Sequence, residues 1–242
     1  MRQGALARAG DKSRIKLPAV TRTTTAALAG VGPAPVPAWR GRLHLVAALV
    51  AVPAGAVLVV QAPTGARPAA SIYAMTLIGM FAVSAAYHRL TLSPAGKRRM
   101  KRADHTAIFV CIAGNYTLFA ALSLAGVWQV VLTAAAWIGA AAGSATKLRR
   151  LHVVGGRADF WYQGLGWLGV LALPWLVGRL TASQIALLVG GGLLYTGGAV
   201  VLGRKRPDPW PLVFGYHEVG HALMLAGSIC HYGVYLSLVQ GT

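Results

Sequence analysis

Hydrophobic and polar positions along the chain fall in long blocks rather than in a short period. From Leu43 onward seven apolar runs recur, at about 43–62, 70–88, 104–124, 127–146, 160–178, 182–203 and 212–238. Each is close to the ~20 residues that a helix needs to cross ~30 Å of hydrocarbon. Shorter core helices of a soluble domain would not recur seven times with such brief polar breaks. The pattern predicts an all-α integral membrane bundle of seven transmembrane helices. Residues 1–40 differ: Arg2, Arg8, Lys12, Arg14, Lys16, Arg22 and Arg40 punctuate a TRTTTAALAG stretch and then GPAPVPAW. Their short apolar part is interrupted by Pro33, Pro35 and Pro37 and makes a poor signal-peptide core. The expectation is a basic, disordered cytoplasmic tail over 1–40 and a seven-helix membrane domain over 41–242.

Composition agrees with this picture and removes one competitor. Only 12% of the 242 residues are charged and 56% are hydrophobic, against about 25% charged in soluble domains. The net charge of +18 could point to nucleic acid. Nucleic-acid binders do not carry a mean hydropathy of +0.58, so no nucleic-acid partner is expected. The charge is instead a topology signal. Of the 23 Lys and Arg residues, all but Arg67 and Arg179 lie in the segment through Arg42 or in the breaks after the second, fourth and sixth runs. The positive-inside rule then places the N-terminus in the cytoplasm and, after seven crossings, the C-terminus outside. Two cysteines, Cys111 and Cys230, lie inside apolar runs and exclude a disulfide framework.

Glycine is abundant, with 30 residues, including Gly139 and Gly143 in a GxxxG and Gly190, Gly191, Gly192, Gly197 and Gly198 in the sixth run. In lipid such residues let helix backbones approach closely. Pro174 marks a kink in the fifth run, and the backbone carbonyl it frees needs a partner.

The few polar residues inside the runs carry the chemistry, since ionisable groups in a span face a cavity or a partner. Tyr87-His88-Arg89 closes the second run, Asp104-His105 opens the third, and His217-Glu218-Val219-Gly220-His221 lies near the start of the seventh. All three clusters lie at the depth of the cytoplasmic leaflet, with no polar group expected to continue the series toward the other side. His217 and His221, at i and i+4, project from one helix face, which suits zinc chelation. HExxH is also the zinc-metalloprotease pattern, with the Glu as general base. His88 supplies a third ligand, and three protein ligands leave an open position. Asp104 is the group placed to accept a proton, with a helix cap or a salt bridge to the KRRMKR loop as the structural alternative. Ser84, one turn before His88, orients the imidazole, touches substrate or packs. Glu218 serves as general base, as partner of a histidine, or as partner of a loop arginine. His105 points away from Asp104, His231 belongs near the far side, His152 is solvated, and His44 anchors the first helix at the interface.

SAAYHR (Ser84 to Arg89), the stretch from Asp104 through NYT, and FGYHEVGHALMLAGSICHY (Phe214 to Tyr232) resemble the bacterial hemolysin III proteins, which belong with the progestin and adipoQ receptors. The resemblance covers roughly 40–240, with three separated motifs in the expected order. It implies seven helices, an internal N-terminus and a zinc held by His88, His217 and His221, with Asp104 bonded to the zinc-bound water and Ser84 nearby. It also implies ceramidase-like hydrolysis as the activity of the eukaryotic relatives, and membrane homeostasis or haemolysis as the association of the bacterial ones. One departure matters: the adiponectin receptors lack a Glu after the first histidine of HxxxH, so Glu218 fits the bacterial branch.

The expected function is a zinc-dependent hydrolase of a lipid amide or ester at the cytoplasmic leaflet, or a membrane-homeostasis sensor. Its partners are membrane lipids and a lipid substrate or ligand; oligomeric state is left open. An intramembrane protease would pair HExxH with an Asp from a later span, and none follows. A pore-forming lytic protein would need a polar stripe through the full depth. A G-protein-coupled receptor would place its N-terminus outside.

Overall fold

A computed structural model describes residues 36–149, 160–176 and 178–241. The tail over 1–35 and Arg150, His152 and Arg157 of the break after the fourth run lie outside the described residues. Eight α-helices follow one another: α1 (Arg42–Gln61), α2 (Arg67–Arg89), α3 (Pro94–Ser123), α4 (Val127–Arg149), α5 (Phe160–Gly166), α6 (Leu173–Leu176), α7 (Ala182–Arg204) and α8 (Tyr216–Gln240). Helix starts follow local chemistry. The Ser93 hydroxyl accepts from the Gly96 N–H at 3.2 Å, with Pro94 at the first helical position, where its missing N–H costs nothing. At α7, Thr181 and Gln184 form a reciprocal capping box, which satisfies two otherwise unpaired N–H groups.

Among the described residues, six helical stretches are long and apolar enough to cross a membrane: α1, α2 with its preceding 3-10 turn, α3, α4, α7 and α8. Their outer faces are apolar too; Val46, Leu49, Val50 and Val60 on α1 are all more than half exposed. Helices apolar on every side belong in a large core or in lipid. The fifth run, expected as one helix over 160–178, is instead helical in three short pieces, with a 3-10 stretch from Trp167 to Ala172 between α5 and α6. Pro174 lies inside α6, but the geometry changes earlier, at Gly166. There Tyr116 of α3 intervenes. Its hydroxyl donates to the Gly166 carbonyl at 2.6 Å and accepts from the Gly169 N–H at 2.8 Å. Backbone groups freed from the α-helical ladder need such a partner in an apolar setting.

Helix α2 packs between α1 and α3, and α8 packs against α7 and α1, so the first, second and last helices share a junction. The α7–α8 seam is built on glycine. A Cβ at Gly198 would lie 2.9 Å from the Gly220 carbonyl oxygen, and one at Gly227 would lie 2.9 Å from that of Gly191. In the GxxxG of α4, a Cβ at Gly143 would meet the Phe109 ring at 2.4 Å and one at Gly139 would meet Leu165 at 2.7 Å. Packing, as expected, is what these glycines serve.

The expected tail ends earlier than Arg40. The N–H groups of Ala38 and Trp39 donate to the carbonyls of Leu212 and Val213 at 3.0 and 3.1 Å, and Trp39 meets Phe214 edge-on. Residues 36–40 therefore belong with the bundle, tied to the α7–α8 connection.

Candidate metal centre

His88 is the penultimate residue of α2, while His217 and His221 occupy the first two turns of α8. The fold brings these three side chains together. One ligand nitrogen from each lies within 4.8 Å of the other two, the one such group of three or more among the described residues. The Nε2 atoms of His88 and His217 are 3.2 Å apart. Two nitrogens bound to a tetrahedral zinc at ~2.05 Å would be about 3.3 Å apart. That pair already has the spacing of a ligand edge, and the third nitrogen must close by no more than about 1.5 Å to match it. His221 is 8% exposed, and all three rings touch one another, with centroids 4.2 to 5.6 Å apart. Three neighbouring, partly to fully buried imidazoles form a donor set that suits zinc.

Ser84 lies one turn before His88 on the same face of α2 and is buried. Its hydroxyl lies near the Asp104 carboxylate of α3. The carboxylate thus reaches the face of α2 that carries His88. Glu218 points elsewhere. Its Oε1 accepts from Arg40 Nε at 2.6 Å and its Oε2 from the Gly215 N–H at 3.0 Å. Of the three roles open to Glu218, an arginine partner is the one observed, with Arg40 in place of a loop arginine. Asp208 adds a cap, accepting from the Tyr216 N–H at 2.8 Å. The start of α8, and with it His217, is therefore held from three sides.

With the geometry in place, comparison with known proteins decides the family. Residues 35–232 match the family described as Haemolysin-III related. The chain belongs to the haemolysin III family. It is 28% identical over 190 residues to Hemolysin-3 of Bacillus cereus, covering 76% of this chain and 83% of that protein. It is also 28% identical over 161 residues to a Hemolysin-3 homolog of Bacillus subtilis strain 168, covering 65% and 71%. No solved structure matches it. With its apolar helices, this haemolysin III chain is a multi-pass membrane protein.

Two sequence expectations need correction in this haemolysin III fold. The first is that polar groups stop at one depth. About 15 Å beyond His221 along α8, Asn115 of α3 joins His231 and Tyr235. Its Nδ2 lies 3.1 Å from His231 Nδ1, and its Oδ1 accepts from the Tyr235 hydroxyl. His231 Nε2 reaches the Leu188 carbonyl at 3.3 Å, and the Tyr195 and Ser228 hydroxyls pair at 2.9 Å nearby. Amide and ring have one donor and one acceptor each to exchange here, so the chain is self-satisfied. It lines no polar stripe. The cluster was hidden in the sequence because Ser228, His231 and Tyr235 stand singly among apolar neighbours.

The second correction concerns His44, expected as an interface anchor. It is 4% exposed and stacks face to face on His221, with centroids 4.0 Å apart and planes 1° from parallel. Its side chain therefore belongs to the centre's wall rather than to an interface. His105, as expected, turns from Asp104 and meets the Tyr162 hydroxyl at 3.3 Å. Arg40 and His44 are the residues sequence reasoning undervalued. The available signal was a basic residue and a histidine four apart at the edge of the most apolar run.

Proposed function

We propose that the protein is a zinc-dependent hydrolase of a lipid amide or ester, working at the membrane leaflet that faces its basic loops. The observation that carries this reading is the meeting of His88, His217 and His221, with the Asp104 carboxylate near Ser84, one turn before His88. Bound zinc would supply Lewis acidity and an activated water-derived nucleophile at neutral pH. The three imidazoles would hold the ion and leave a fourth position for substrate or water. Asp104 acts as the proton acceptor, and Ser84 fixes its orientation by donating to it. Glu218, with both oxygens engaged, positions the start of α8 and leaves the proton transfer to Asp104. Exposed apolar faces on the surrounding helices suit a substrate that arrives through lipid.

The same reading takes the 160–176 stretch as a seventh crossing. Seven α, six 3-10 and four α residues rise to roughly 28 Å, close to the ~30 Å of hydrocarbon. Together with the basic loops, this supports a cytoplasmic N-terminus and an external C-terminus.

The test has two parts. A reporter fused after Thr242 should be active outside and one inserted at 97–102 inside; a cytoplasmic C-terminus would leave six crossings. Asp104→Asn should keep zinc and fold while turnover of a lipid amide falls ~10²–10⁴-fold, the usual worth of a general base. Asp104 lies inside α3, whose cap is Ser93, so the expected cap role is excluded; if its carboxylate served packing alone, asparagine would preserve its shape and turnover would not change.

A further inference from the structure

The proposed chemistry leaves His44 unused, yet it is the side chain in the fullest ring contact with the centre. Its ring sits between His221, parallel at 4.0 Å, and Phe81, tilted at 5.2 Å. It is 4% exposed, and neither ring nitrogen has a hydrogen-bond partner among the described residues. Burying an imidazole with both nitrogens unpaired is unfavourable, whereas phenylalanine would fill the same volume without that cost. A buried polar group of this kind calls for a partner.

The partner is not the metal of the three-histidine site. A ligating imidazole nitrogen directs its lone pair in the ring plane, so an ion bound by His221 lies close to the plane of that ring. The His44 plane is parallel to it, with ring centroids 4.0 Å apart, about twice the Zn–N bond length. In this arrangement His44 stands beside the centre with its ring nitrogens uncommitted.

We propose that His44 is a substrate-contacting residue of the histidine centre, hydrogen-bonding an oxygen of the lipid amide or ester that occupies the open position. This rests on the metal-centre reading and assigns a specific donor to its substrate side. The stack on His221 fixes the His44 ring, and the hydrogen bond fixes the carbonyl-bearing group relative to the ligand set.

The experiment uses the full chain in lipid nanodiscs loaded with Co²⁺, whose visible spectrum reports coordination without requiring turnover. Two probes compete for the open position: acetohydroxamate, an amide-like oxygen ligand with hydrogen-bonding groups, and ethanethiol, a sulfur ligand with little hydrogen-bonding capacity. His44→Phe keeps the stack and the contact with Phe81 but removes both nitrogens. It should retain the metal and the wild-type spectrum and bind ethanethiol unchanged, while binding acetohydroxamate about tenfold more weakly, the worth of one hydrogen bond. His44→Gln, which restores a polar group, should recover part of that affinity. Equal acetohydroxamate affinity in wild type and His44→Phe overturns the proposal. Loss of Co²⁺, a changed coordination spectrum or failure to fold in His44→Phe also overturns it, because His44 would then be a ligand or a structural prop. If the wild-type chain takes up no Co²⁺, the metal reading itself fails and the role of His44 falls with it.

Discussion

Two histidine regions lie on the same helix about 15 Å apart, and they are built on opposite principles. At the start of α8, His217 and His221 face His88, with one nitrogen of each within 4.8 Å of the other two. Further along, His231 divides its two nitrogens between Asn115 and the Leu188 carbonyl, and Asn115 in turn accepts from Tyr235. The second region is a run in which Tyr235, Asn115 and His231 each have a hydrogen-bond partner. In the first, the nitrogens have chiefly one another, and neutral imidazoles cannot all be satisfied that way. Depth in the bilayer does not separate a site from a structural polar cluster here. The partners do: the deep histidine is held by an amide and a backbone carbonyl, whereas the other three have ligand nitrogens gathered near one another, an arrangement that a metal can complete.

The largest effect that sharpens this contrast is on metal content. His88→Ala, His217→Ala and His221→Ala should each take zinc from about one per chain to near zero, measured by elemental analysis of the purified protein. His231→Ala should keep full zinc. It should instead lower stability by about 1–3 kcal/mol, because Asn115 and the Tyr235 hydroxyl lose a link in their circuit. Zinc retained after loss of His88 would break the three-histidine centre, and zinc lost with His231 would erase the distinction between the regions.

The next effect is on packing. A Cβ at Gly191 would lie 2.5 Å from the His231 ring, so Gly191→Ala must displace the ring that the deep circuit depends on. Overpacking of this kind costs about 1–3 kcal/mol. The loss should appear as a lower thermal midpoint with zinc content intact. Gly190→Ala is the matched control, since nothing lies within 4 Å of a Cβ there, and it should be tolerated. Equal behaviour of the two variants would show that the close approach of α7 and α8 at this point carries no weight.

Sequence periodicity revealed the helices and much of the centre for a physical reason. An i, i+4 histidine pair has one geometric consequence on a helix, and a histidine ending a neighbouring apolar run shares its depth. The family resemblance, carried by the motifs around Ser84, Asp104 and His217, is borne out. What stayed hidden depended on tertiary contacts between residues far apart in the chain. Tyr116 reads as one more aromatic of the third run until Gly166 and Gly169 are seen against it. His44 reads as a helix-edge histidine until α1 and α8 are packed together. Asn115 and His231 are 116 positions apart, and no local pattern links them. The break of the fifth run was legible through Pro174 as a kink, but its position is set by Tyr116.

The smallest effect tests which carboxylate belongs to the chemistry. Glu218 is 2% exposed and its Arg40 partner 21%, so the pair lies at the edge of the bundle with one member reached by solvent. Glu218→Gln preserves shape, and its carbonyl oxygen can still accept from the Gly215 N–H, so the cap of α8 survives. What is lost is the charge opposite Arg40. A partly screened pair contributes on the order of 1 kcal/mol, and Arg40 can turn its guanidinium to water. The variant should therefore unfold slightly earlier, with a difference that shrinks in high salt, and should keep its zinc. Lipid-amide turnover should stay within a few-fold of wild type. Asp104→Asn, with the same loss of one negative charge, should be down by ~10²–10⁴. Two carboxylates flank one histidine centre, and the difference between these numbers identifies the proton acceptor. If Glu218→Gln produced the large loss and Asp104→Asn the small one, the roles would be exchanged, and the Arg40 bond would be a resting-state lock on the base.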